Sequence, residues 1–145
     1  MEDLELLAAL QAKDDKEAYA ALKAASAESA ESDIYCHLLD EFAKLLENKQ
    51  SYIRTRGFIM CCSQVRWDTE GKLEEILPSM LRLFHDEKPT VVRQCLKAVA
   101  EVILYRPELG ETIEKEIGKM DLSKYKDSMA PLIRKDMDGI LEMLK

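Results

Sequence analysis

Residues 72–105 read KLEEILPSMLRLFHDEKPTVVRQCLKAVAEVILY. Leu73, Ile76, Leu77, Met80, Leu81 and Phe84 recur three and four residues apart, the spacing that gathers side chains on one face of an α-helix. The polar run His85-Asp86-Glu87-Lys88 interrupts that stripe, and Pro89, tolerated in a first helical turn because its missing N–H has no intrahelical partner there, opens a second one. The stretch therefore predicts a helix over 72–85, a tight turn and a helix over 89–105.

The same plan extends in both directions. Position 93 minus position 54 is 39, and at that offset Ser51-Tyr52-Ile53-Arg54 lies over Thr90-Val91-Val92-Arg93, while Leu38, Phe42 and Leu45 lie over Leu77, Leu81 and Phe84. A looser copy at an offset of 41 sets Leu132-Ile133-Arg134 over Val91-Val92-Arg93. Self-similarity near forty residues, with two helices per period, is the mark of an array in which each pair covers the apolar face of the next. The chain divides into pairs at approximately 2–30, 33–67, 72–105 and 107–144, about eight helices in a single domain. Leu4, Leu7 and Leu10 form the expected inner stripe of the first helix, and Ala18, Ala21, Leu22 and Ala25 that of the second. Ile34, Leu38, Phe42, Leu45 and Leu46 form the stripe of the third, with Asp33 as its N-cap and Ser51 as the cap of the fourth. Pro131 falls in a first turn again.

Composition agrees with an all-α protein. Of 145 residues, 47% are apolar and 34% charged, so most segments are amphipathic, and five Gly with four Pro are too few for the turns of a sandwich or barrel. A net charge of −7 and a pI near 5.0 oppose unspecific attraction to nucleic acid or an anionic membrane. The opening segment is acidic and interrupted by charge, unlike a secretory leader or a membrane span, and reads as mature cytoplasmic sequence. Cys36, Cys61, Cys62 and Cys95 lack CxxC spacing and are expected to be free thiols.

Leu81-Arg82-Leu83-Phe84-His85-Asp86, followed by Val91-Val92-Arg93-Gln94-Cys95 and Ala98, resembles the signature of a HEAT repeat, with Pro78 in the preceding helix. The resemblance implies a right-handed α-solenoid. It also implies that Asp86, Arg54, Arg93 and Arg134 form a structural ladder between neighbouring repeats, with Asn48 in place of an acid near the second turn. More narrowly, SYIRTRG at 51–57, Trp67-Asp68, DEKPTVVRQC at 86–95 and DLSKYKDSM at 121–129 resemble a family of small bacterial proteins often labelled "SufBD protein". That label implies an accessory role in iron-sulfur cluster assembly.

Several groups invite a chemical role. Cys36-His37, Cys61-Cys62 and Cys95 have the soft ligands that zinc or an iron-sulfur cluster takes, yet their apolar settings suit cysteine as a compact hydrophobe, and no metal or cofactor is expected. Arg54, Arg56, Arg66, Arg93 and Lys88 could line the inner surface as an anion-binding strip. Trp67 and Asp68, with Tyr52 and the arginines Arg54, Arg56 and Arg66, carry the residue types of the helical-repeat DNA alkylation glycosylases, which they resemble: an aromatic face, a carboxylate and cations for phosphate. Glu70, Glu74, Glu75 and His85-Asp86 read as solvated charge. No phosphate loop, GxSxG elbow or HExxH pair occurs.

The favoured expectation is a non-enzymatic, monomeric interaction module that binds another protein or an acidic peptide and no membrane; the alternative, disfavoured by the acidic balance, is a nucleic-acid-binding or alkylation-glycosylase-like protein. The contact residues of the favoured module are expected to be Tyr52, Arg56, Phe58, Arg66 and Trp67. Phe58 and Cys62 align with polar Lys97 and Glu101 in the next pair. They are therefore either covered by the first pair or part of an apolar contact patch.

Overall fold

The computed structural model describes residues 1–145 and contains eight α-helices and no strands. They are α1 (Asp3–Leu10), α2 (Asp15–Glu31), α3 (Leu39–Lys44), α4 (Ser51–Ser63), α5 (Lys72–Leu81), α6 (Pro89–Tyr105), α7 (Gly110–Gly118) and α8 (Ala130–Met143). Single 3-10 turns tighten the ends of most pairs, at Cys36–Leu38, Leu45–Glu47, Val65–Trp67, Arg82–His85, Pro107–Leu109 and Leu122–Lys124. No helix is long and apolar enough to cross a membrane.

The even-numbered helices lie in a row, α2 against α4, α4 against α6 and α6 against α8, and in the odd-numbered row α3 meets α5. One continuous core of 35 buried residues runs through both rows. Its centre is α4, hemmed in on both sides, which buries Ile53, Phe58, Met60, Cys61 and Cys62. Gly57 makes that approach possible: a Cβ there would stand 2.7 Å from Leu45 Cβ and 3.0 Å from the Phe42 carbonyl oxygen. No larger residue fits without moving backbone.

The turn within each pair is built alike. Asp14, Asn48, Asp86 and Asp121 each accept the backbone N–H two residues on, from Lys16 at 3.0 Å, Gln50 at 2.9 Å, Lys88 at 2.9 Å and Ser123 at 3.0 Å. These Asx turns give the chain a short polar bond that competes with helix and so ends it. The amide of Asn48 does what the acid does elsewhere, because the turn needs only an oxygen acceptor.

Several local expectations are corrected. Leu4 is 82% exposed, and Leu6 and Leu10 are the buried residues of α1, because α1 meets α2 through a face rotated from the Leu4 stripe. Ile34 is 45% exposed, since Asp33 does not cap α3; Ser32 Oγ instead accepts from Ile34 N at 3.1 Å, and the chain enters a 3-10 turn first. Ser51 is the first residue of α4, and Gln50 precedes it without a side-chain cap. His85 and Asp86 are half-buried and bonded: His85 Nε2 lies 2.7 Å from Glu116 Oε2, and the Asp86 backbone oxygen accepts the Tyr125 hydroxyl at 2.6 Å.

Candidate functional site

The arginines of α4 and α6 reach forward into the following pair. Arg54 donates through Nε and Nη2 to the two oxygens of Asp86 at 2.9 and 3.0 Å, and through Nη1 to the Asn48 carbonyl at 3.0 Å. Arg93 Nε donates to Asp136 of α8 at 2.7 Å, an acid in the next helix of the row and not one in a turn. Arg134 is exposed and takes part in no ion pair, so it is not a rung within this chain.

Arg56, read as a contact residue, is only 4% exposed. Its Nη1 donates to the carbonyls of Leu10 at 3.0 Å and Ala12 at 2.8 Å, which lie where α1 ends and have no intrahelical donor left. Its Nη2 meets Asp15 at 3.1 Å, and the guanidinium sits 4.9 Å from the centroid of the half-buried Tyr52 ring. Phe58 is 0% exposed beside Phe84, and Cys62 is 2% exposed near Cys95 and Glu101 of α6; the third pair, not the first, lies against them, and neither forms a contact patch.

Trp67 and Asp68 line a shallow cleft with Cys36, His37, Glu70 and Lys72, but their polar atoms are engaged. The Trp67 indole N–H donates to the Ser29 carbonyl at 2.6 Å, and Asp68 accepts from Lys72 N at 3.0 Å and Leu73 N at 2.7 Å, capping α5. A carboxylate tied to two helix N–H groups is held in place at the start of α5. Cys61, Cys62 and Cys95 are buried, and burial pushes their thiols up; Cys36, half-buried, is raised by burial and by Asp68 and Asp33. No three His, Cys, Asp or Glu side chains are grouped to hold a metal ion.

One surface stands apart. Tyr19, Leu104, Tyr105, Leu132 and Met143 are exposed large apolar residues on α2, α6 and α8; among the odd-numbered helices only α1 exposes one, Leu4, at the start of the chain. On α6 the outer strip Thr90, Gln94, Lys97, Glu101, Leu104 follows helical spacing. Its first part borders a groove with Tyr19, Tyr52 and Arg56. Its middle borders a second groove with Lys135, Gly139 and Met143 of α8. At its far end the Arg66 guanidinium lies 4.3 Å from the Tyr105 ring centroid and also donates to the Ala30 carbonyl at 2.8 Å. Burial raises the Glu101 carboxyl above its ordinary range, with Arg66 opposing the shift.

Of the five expected contact residues, this face includes Arg66 and, half-buried, Tyr52. Trp67 lies behind it, Arg56 forms the floor of the first groove, and Phe58 belongs to the core. Leu104, Tyr105 and Met143 escaped the sequence reading because α6 and α8 are apolar on more than one side; which side stays bare depends on the neighbouring helix. No protein-family model, curated protein or solved structure matches this chain.

Proposed function

We propose that this chain is a HEAT-type repeat module that binds another protein through the outer face of its even-numbered helices. The observation that carries the reading is the exposure of Tyr19, Leu104, Tyr105, Leu132 and Met143 on α2, α6 and α8. An apolar side chain gains roughly 25 cal/mol for each Å² removed from water, so a fold that leaves five such residues bare on α2, α6 and α8 keeps an unused driving force there. Tyr and Arg are also the residue types that dominate protein interfaces, since each buries a large rigid surface and retains polar donors.

The charge on this face suits an acidic partner despite the acidity of the chain. Arg66, Lys97 and Lys135 are exposed and take part in no ion pair; Glu101 of α6 lies near Arg66, while Asp15 and Asp136, which line the two grooves, are bonded to Arg56 and Arg93. Nucleic acid is the weaker reading, because its candidate residues Trp67 and Asp68 are engaged in joining α2 and starting α5.

The test compares the tagged chain with a Leu104→Asp/Arg66→Glu variant in nuclease-treated extract of the cells that make it, with bound proteins identified by mass spectrometry. A stoichiometric protein retained by the first and lost by the second is the expected result. Equal capture by both folded proteins, or binding that vanishes with nuclease, would remove this reading.

A further inference from the structure

Four of the five glycines have a reason inside the chain. Gly57 and Gly110 are crowded by neighbours at 2.7 Å, Gly71 adopts φ 75°, and Gly118 is the last residue of α7. Gly139 has none. It lies inside α8, where glycine costs stability relative to alanine, and a Cβ there would meet nothing within 4 Å.

The surroundings of Gly139 are a groove between α6 and α8, lined at its base by Leu96, Ala100 and Ile140 and closed at one end by the half-exposed Met143. Lys97 stands on one rim and Lys135 on the other, both exposed and without an ion pair. The lining acid, Asp136, is already bonded to Arg93 at 2.7 Å. The groove is thus apolar below and positive above, with its low point at a residue that has no side chain.

We propose that this groove is the seat of an amphipathic helix from a partner protein, lying along α6 and α8 with its acidic flanks beside Lys97 and Lys135 and its backbone close to Gly139. Two packed helices present the furrow into which the ridge of a third fits, and small residues at the crossing let the axes approach. Opposite charge on both rims fixes the occupant's character and hinders a basic one. The inference rests on the reading that the even-numbered face binds protein, and names the partner's chemistry at one part of it.

The test uses a fluorescein-labelled helix-forming peptide of Leu, Ala and Glu, and the same peptide with Lys for Glu, followed by anisotropy. The Glu peptide should bind and the Lys peptide should not. Gly139→Leu should weaken binding about tenfold or more, and Lys97→Glu/Lys135→Glu should reverse the preference between peptides. Gly139→Ala separates function from folding: it should raise the unfolding midpoint by about 2–4 °C, because a helix prefers alanine and nothing in the chain occupies the space. No binding of the Glu peptide, binding indifferent to Gly139→Leu, or a lower midpoint for Gly139→Ala would each overturn the groove assignment. If Leu104→Asp/Arg66→Glu still abolishes partner capture, only the groove assignment has failed; if that capture is unaffected as well, the whole face has.

Discussion

Arg56 and Asp15 make one ion pair, yet the two residues are not equals. The Arg56 side chain is 5% exposed and that of Asp15 is 93% exposed. For Asp15 the contact is a surface pair, worth roughly 0–1 kcal/mol. For Arg56 the larger contribution is to the carbonyls of Leu10 and Ala12, which lose their donor if the guanidinium goes. Leaving a buried acceptor unsatisfied costs about 1–3 kcal/mol, and the stem of Arg56 also fills space beside Tyr52. Denaturant unfolding should therefore show Arg56→Ala destabilised by about 2–3 kcal/mol and Asp15→Asn changed by no more than about 0.5 kcal/mol. Comparable losses from both would mean that the ion pair, not the carbonyl cap, is the contact that matters. At this scale the sequence showed a basic residue at the right helical position. It did not show that the guanidinium points inward at the end of α1, because that end is distant in sequence and adjacent only after folding.

Between elements, the links along the rows differ in burial, and burial ranks them. Arg54 and Asp86 are 18% and 7% exposed, Arg93 and Asp136 are 28% and 11% exposed, and Lys72 and Asp40 are 44% and 63% exposed. Screening by water weakens a pair as it becomes exposed, and a bidentate guanidinium–carboxylate contact is stronger than a single one. Double-mutant cycles should give a coupling of about 1–3 kcal/mol for Arg54 with Asp86, less for Arg93 with Asp136, and least for Lys72 with Asp40. A coupling for Lys72 with Asp40 as large as that for Arg54 with Asp86 would refute the ranking by burial. The limits of α6 were legible because Pro89 begins it and Pro107 follows its end, both by removing an N–H. The start of α3 was not: Ser32 and Asp33 are both competent caps by type, yet neither caps it, because the chain passes through a 3-10 turn at Cys36–Leu38 and α3 begins at Leu39 without a side-chain cap. Arg93 was expected to use a turn acid; α8 lies close enough to offer Asp136 first.

For the molecule as a whole, the thiols report on the integrity of the core. Cys61, Cys62 and Cys95 belong to the one core cluster that spans the pairs, and Cys36 is half-buried in a surface cleft. A thiol reacts as its thiolate, so burial protects the first three twice, by denying access and by raising the pKa. In native conditions a maleimide reagent should modify Cys36, slowly, and leave the other three intact until global unfolding exposes them together. Early modification of Cys95, which lies near Cys62 and Arg54, without loss of helicity would show that α4 and α6 part before the fold as a whole opens.

The sequence by itself determined that the chain is all-α and built of about eight helices. Those features depend on local spacing of apolar residues, on prolines and on short polar turns, interactions that span a few residues and are written consecutively. Only the tertiary structure decided which apolar residues end up bare. Phe58 and Leu104 both lie on apolar stripes, and Phe58 is buried beside Phe84 of the third pair while nothing in the chain covers Leu104. Exposure is a property of the neighbour as much as of the residue, so the binding face emerged only when the helices were placed side by side.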